Sequence, residues 1–257
     1  MTRVLITRPR KEAIEFAEAL GEIGAEAIFF PTIEICPVKD TTVIDRAILH
    51  LNSYDWLILT STHAVDVVLD RKAALGIENL PENLRIAAIG PKTAARLRAR
   101  CVSPHFVPEE FIAEAILPGL GDLNNRWVLL PLADIAQDTL SRAIQKANGI
   151  AHVVTAYHTL PAELDPEGLA ALRDGVDILT FTSGSTAQNF VSLVQRAGFD
   201  PFRLPGSPLI ACIGPKTAQI ARELGFPVEI VASTYTVEGL VQAISSQVQK
   251  IYPHDAT

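Results

Sequence analysis

The chain has 257 residues, with 22 Lys and Arg against 29 Asp and Glu, for a net charge of -7. Its 48% hydrophobic and 20% charged residues exclude wholesale disorder and a fibrous architecture, and the length suits one large or two small domains. The acidic balance argues against a dedicated nucleic-acid binder, which carries a basic footprint, but a local basic site can still attract an anionic small molecule.

Short continuous apolar runs predict strands at 4–6, 56–59, 86–89, 127–130, 178–181 and 209–213. Runs without alternation suit strands buried on both faces. Helical periodicity falls between them, at 10–22, 62–74, 92–100, 136–147, 185–197, 216–224 and 236–248. Glu109-Glu110 reads as a further helix start. Strand–helix alternation means α/β with parallel sheets. The first apolar run is too short for a signal-peptide core, and no stretch approaches the ~18 apolar residues of a membrane span. Cys36, Cys101 and Cys212 are far apart and form no CxxC or Cys/His cluster. Neither zinc nor a disulfide framework is expected, and the chain reads as cytoplasmic with reduced thiols. The scattered histidines, at 50, 63, 105, 152, 158 and 254, read as surface or structural.

The chain repeats itself. Ile86-Ala87-Ala88-Ile89-Gly90-Pro91-Lys92-Thr93-Ala94 recurs as Ile210-Ala211-Cys212-Ile213-Gly214-Pro215-Lys216-Thr217-Ala218, with Gly90 and Gly214 124 positions apart. Asp55-x-Leu57-x-x-Thr60-Ser61 recurs as Asp177-x-Leu179-x-x-Thr182-Ser183, and Glu114 matches Glu238. Residues 55–120 and 177–244 therefore read as copies of one βαβαβα unit. A fainter βαβ repeat relates Arg3-Val4-Leu5-Ile6 to Trp127-Val128-Leu129-Leu130. A short and a long unit together make five strands, the size of a doubly wound domain. The periodicity leaves two plans open: tandem domains split near 125, or a first short unit paired with the last long unit around an inserted middle. In the second plan the chain crosses twice, at 31–37 and 155–161, two extended proline-bounded segments that can pair as a hinge.

In such sheets ligands bind at the carboxyl ends of strands, where the repeated polar motifs lie. Ser61-Thr62 and Ser183-Gly184-Ser185 begin helices. Capping accounts for one hydroxyl in each, and the others, with free backbone N–H groups, can bind a carboxylate or phosphate. Gly90-Pro91-Lys92-Thr93 and Gly214-Pro215-Lys216-Thr217 pair a tight turn and a Pro at the first helical position with a cation. Neither a P-loop nor GxGxxG spacing is present, which counts against a nucleotide-dependent transferase. Thr7 and Arg8, in Thr7-Arg8-Pro9-Arg10-Lys11, form a third strand-end candidate. No nucleophile elbow, HExxH or closely spaced acid–base set occurs. Tyr157, in the second crossing, is the one conspicuous titratable group, a proton donor if it faces a cleft.

Taken together, Val4-Leu5-Ile6-Thr7-Arg8-Pro9, the Thr60-Ser61 and Thr182-Ser183 strand ends, the doubled Ile-Gly-Pro-Lys-Thr-Ala, Ala156-Tyr157-His158-Thr159 and Thr236-Val237-Glu238-Gly239-Leu240 resemble the uroporphyrinogen-III synthase family over residues 3–248. The resemblance implies two flavodoxin-like domains related by the pseudo-repeat. One would be 1–34 with 162–257 and the other 38–155, with 35–37 and 156–161 as linker strands and the cleft between them. It implies a cofactor-independent enzyme that takes the anionic linear tetrapyrrole hydroxymethylbilane. The enzyme expels its hydroxyl as water, inverts ring D through a spiro intermediate and closes uroporphyrinogen III. Tyr157 would assist hydroxyl loss. Thr93, Thr217, Ser61 and Ser183 would position substrate. Neither nucleic acid nor membrane is implied as a partner, and transient contact with the preceding pathway enzyme is compatible. Leu132 and Gln137 stand where relatives often carry arginines, which keeps open a tetrapyrrole- or anion-binding regulatory module without full activity.

Overall fold

The computed structural model describes residues 1–109 and 114–251; Glu110 of the expected helix start and His254 lie outside the described residues. The first half of the chain runs β1 (Thr2–Ile6), α1 (Arg10–Glu22), β2 (Ala25–Phe29), β3 (Ile33–Pro37), α2 (Thr42–Leu49), β4 (Trp56–Leu59), α3 (Thr62–Ala74), β5 (Arg85–Ala88) and α4 (Pro91–Ala99). It continues through β6 (Trp127–Ala133), α5 (Thr139–Lys146), β7 (Ile150–Pro161), α6 (Pro166–Asp174), β8 (Ile178–Phe181) and α7 (Gly184–Arg196). It finishes with β9 (Leu209–Cys212), α8 (Pro215–Leu224), β10 (Val228–Val231) and α9 (Val237–Ile251).

Two compact units result: Met1–Glu34 with Leu160–Thr257, and Ile35–Thr159. The chain passes from one to the other within β3 and again within β7. The first unit's sheet has the order β10-β9-β8-β1-β2, with every pair parallel. That is the doubly wound order, with its switch point between β1 and β8. The second sheet is ordered β3-β7-β6-β4-β5, and its switch point lies between β6 and β4. All four residues of β4 and of β8 are buried, as a strand covered by helices on both faces requires. The helices cover both faces: α6, α7 and α8 on one side of the first sheet and α1 and α9 on the other. In the second unit α2, α3 and α4 face α5 across the sheet.

The repeat is structural in detail. Asp55 Oδ2 accepts the N–H of Trp127 at 2.9 Å, and Asp177 Oδ2 accepts the N–H of Arg3 at 2.7 Å. Each Asp locks the start of the strand across its switch point. His105 Nδ1 accepts the N–H of Ile86 at 3.0 Å, and Glu229 Oε2 accepts that of Ile210 at 2.8 Å. One copy uses an imidazole where the other uses a carboxylate. His105→Ala leaves a part-buried N–H without its acceptor and is expected to cost about 1–3 kcal/mol. His105→Glu, which borrows the residue of the other copy, is expected to restore most of it in urea melts.

The two long copies also differ. The counterpart of β10 shrinks to a single bridge between Ala87 and Phe106. Among the described residues, the counterpart of α9 is a 3-10 turn, Glu114–Leu120. Pro104 and Pro108 stand where Val228 and Ala232 do in the second copy, and Pro118 matches mid-helix Gln242. Proline gives no ladder donor and breaks helix interiors, so the βαβαβα unit is complete only in the second copy.

Candidate active site

Ser61 lies two residues past the end of β4 and caps α3, its Oγ accepting the N–H of Ala64 at 3.1 Å. Ser183 does the same for α7, with Thr186 returning a hydrogen bond to form a capping box. The capping role applies to both serines, and it does not exhaust either one. Ser183 Oγ lies 2.9 Å from the exposed Ser185 Oγ. Ser61 Oγ lies 3.0 Å from Tyr157 Oη. A Cβ added at Gly184 would stand 2.3 Å from Ile220 Cδ1, so the end of that side chain would have to move.

Tyr157 reaches Ser61 because β7 is irregular. Its register against β6 shifts between Leu132 and Ala133, so that Leu132 faces Thr155 but Ala133 faces Tyr157. A bulge of this kind re-aims the following side chain. The phenol ends in the core beside α3, 8% exposed. Its ring lies 5.5 Å from that of His63, in the first turn of α3. The sequence reading did not single out His63. Its signal was present, because His63 stands where the other copy has Ser185. On the far side of the bulge, Asp134 accepts the N–H of Thr159 at 3.0 Å and lies 2.9 Å from His158 Nδ1. These two hydrogen bonds hold its carboxyl below the ordinary range.

The two glycine turns open α4 and α8, each with Pro at the first helical position. Lys92 and Lys216 follow, both exposed, beside the N–H groups of a helix start. Thr93 and Thr217 point inward and are 4% and 7% exposed. Thr62 is half-buried in the first turn of α3.

One expectation at the end of β1 needs correction. Thr7 is wholly buried, and its Oγ1 donates to the Thr180 carbonyl at 2.6 Å while its own carbonyl accepts from the Thr32 hydroxyl. The pairing of β1 with β8 consumes that hydroxyl, so Thr7 is a sheet residue and not a ligand contact. Arg8 is bonded to Glu12 at 2.8 Å, and Arg10 to Asp165 at 2.6 Å while lying over the Phe29 ring. Neither is an idle cation. Asp165 also caps α6; burial raises its pKa, but hydrogen bonds from Gly168, Arg10 and Glu167 outweigh burial and hold it low.

The family described as "Uroporphyrinogen-III synthase HemD" matches residues 14–242. The chain belongs to the uroporphyrinogen-III synthase family. It is 33% identical to the uroporphyrinogen-III synthase of Synechococcus elongatus over 246 residues, covering 94% of this chain and 93% of the relative. It is also 33% identical to a protein of Methanocaldococcus jannaschii described as a putative uroporphyrinogen-III synthase, covering 94% and 97%. Among solved structures, a mutant uroporphyrinogen III synthase of Thermus thermophilus aligns with a TM-score of 0.68 at 22% identity, over 97% of this chain and 100% of that one. A Helicobacter pylori uroporphyrinogen-III synthetase gives 0.63 at 19%, over 96% and 100%. At those identities the structures speak for the α/β fold. Uroporphyrinogen-III synthases are cofactor-independent cyclising lyases of porphyrin biosynthesis. Among the described residues no group of three or more His, Cys, Asp or Glu side chains can hold a metal ion. No described helix is long and apolar enough to cross a membrane.

The fold accounts for Leu132. It is buried among Trp56, Ile58 and Leu130, so a cation there would displace core. Gln137, on the exposed stretch before α5, is the open position of the two.

Proposed function

We propose that the chain converts hydroxymethylbilane to uroporphyrinogen III with Tyr157 as the proton donor to the departing hydroxyl. The observation that carries this role is the 3.0 Å contact between Tyr157 Oη and Ser61 Oγ, made at the N-terminus of α3. Ser61 Oγ already accepts the Ala64 N–H, so its own hydrogen is available to the phenol oxygen. This contact at the helix N-terminus holds the phenol in position to act as a general acid. The proton goes to the leaving oxygen, the carbon–oxygen bond breaks, and water departs from a cationic methylene-pyrrole. The substituted carbon of ring D then attacks that methylene to give the spiro intermediate, which rearranges and closes. Further catalysis is orientation: the chain must hold a flexible bilane with the correct ring carbons facing.

The substrate's carboxylates are assigned to the strand-end loops. Ser61, Thr62, Gly90, Lys92 and Thr93 serve in the second unit, and Ser183, Gly184, Ser185, Gly214, Lys216 and Thr217 in the first. The support is that each loop presents helix N–H groups, and the two lysines add exposed cations. Arg8 would join them only by giving up Glu12. Replacing Lys92 and Lys216 together by Ala is expected to raise KM about 3–10-fold at low salt and less than about 2-fold near 0.5 M salt, since screening removes the contribution of exposed charges. A salt-independent loss would assign the lysines to packing.

The decisive assay supplies purified protein with freshly generated hydroxymethylbilane. The type III isomer is expected. Formation of the type I isomer alone, as in spontaneous closure, sinks the proposal and favours a non-catalytic binding module. Because the bilane closes spontaneously, we also assign direct handover from the enzyme that makes it. The free thiols of Cys36, Cys101 and Cys212 suit a reducing compartment such as the cytoplasm.

A further inference from the structure

The second unit carries a pocket at the opposite end of its sheet from Tyr157. It has a volume of about 470 Å³ and lies between α2 and the amino ends of β6 and β7. Its walls include Val43, Arg46, His50, Tyr54, Trp127 and His152. His152 and Tyr157 share β7, roughly 15 Å apart at strand spacing. The pocket therefore lies outside the site already described.

The lining is chemically selective. Trp127 is 45% exposed although it is an indole, and Val43 is 60% exposed. Tyr54 packs edge-on to Trp127 and stacks on His152 with ring planes 17° apart. Flat aromatic faces thus line one side. The other side is cationic or hydrogen-donating, and no Asp or Glu lines the pocket. Among the described residues the Arg46 guanidinium makes no ion pair. His152 is held by Tyr54, whose Oη lies 2.6 Å from Nδ1. Either atom can be the donor in that contact; when the phenol donates to Nδ1, the imidazole hydrogen sits on Nε2, which is then an N–H donor. The repeat does not create this pocket automatically. At the position of Trp127 the first unit has Arg3, which donates to the Gly175 carbonyl at 2.6 Å.

We propose that this pocket binds a planar aromatic carboxylate, its ring against Trp127 and Tyr54 and its carboxylate met by Arg46 and the Nε2–H of His152. Its volume suits a small ligand. An unpaired guanidinium and a fixed imidazole donor give charge-assisted hydrogen bonds, and an exposed indole gives stacking area.

The test uses 2-naphthoate as probe and is independent of the catalytic reading. The chain has two tryptophans, Trp56 and Trp127, and Trp56 is 4% exposed. In amide-nitrogen NMR the indole N–H signal of Trp127 is expected to shift saturably while that of Trp56 stays in place. Arg46→Ala is expected to weaken binding about 10-fold or more, the loss of one charge-assisted hydrogen bond. His152→Ala should act likewise, while turnover of Arg46→Ala remains unchanged. The uncharged 2-naphthalenemethanol and the aliphatic hexanoate should each bind about 10-fold more weakly than 2-naphthoate. Equal affinity for the Arg46→Ala variant, equal affinity for the uncharged analogue, or no saturable shift of the Trp127 signal up to about 5 mM would overturn the proposal.

Discussion

Tyr157→Phe is expected to lower kcat by about 10²–10⁴, the range for a positioned proton donor, with little change in KM and a loss of stability of only about 0.5–1.5 kcal/mol, that of one hydrogen bond. The substitution removes one oxygen. The ring stays packed beside His63 in the core of the second unit, so structure and substrate binding are kept while the proton is lost. Ser61→Ala separates the two parts of the site. It deletes the helix cap, worth about 0.5–2 kcal/mol, and also the hydrogen bond to the phenol. It should therefore lower both stability and kcat. A Tyr157→Phe enzyme with unchanged kcat in a stopped assay would remove the phenol from the mechanism.

Gly90→Ala and Gly214→Ala should behave oppositely, although the two glycines sit in a nearly identical sequence. Gly90 has φ +91° and ψ 159°, a region costly to any residue with a Cβ. Gly214 has φ -179°, extended backbone open to all residues. Its added Cβ would stand 3.1 Å from the Tyr235 ring, and Tyr235 is 65% exposed and can move aside. Gly90→Ala is expected to destabilise the second unit by about 1–3 kcal/mol and to shift Lys92 and Thr93 with it. Gly214→Ala should fall within about 0.5 kcal/mol of the parent. Chemical denaturation followed separately in each unit checks both. Equal costs would mean that the turns share one backbone conformation.

Much of the fold is legible in the residues. Runs such as 56–59 and 178–181 have no alternation, and burial on both faces is the only economical use of them. Two helices went unread. The signals were there: Asp165-Pro166-Glu167 is a cap, a first-turn proline and a first-turn acid, and Ile44, Ala47 and Ile48 repeat at helical spacing. Both segments are short, eight and nine residues, so their periodicity has few turns in which to repeat. The site was harder for a different reason. Which way a strand residue faces depends on register, and one extra residue reverses it. The shift opposite Ala133 that delivers Tyr157 to Ser61 leaves no mark in the sequence. Thr7 misled for a related reason, since its hydroxyl is consumed by Thr180, a partner that only strand pairing across 173 residues supplies.

The double passage through β3 and β7 has a bearing on how the chain acquires its shape during synthesis. The stretch Ile35–Thr159 is continuous, so the second unit can close its sheet as soon as that stretch leaves the ribosome. The first unit cannot. β1 lies inside its sheet between β2 and β8, and β8 is translated more than a hundred residues later. Until then β1, α1 and β2 expose one flank of β1 and an apolar helix face with nothing to cover them. The β1–α1–β2 segment is thus made long before its partners, and it is where a chaperone or an aggregation hazard would act.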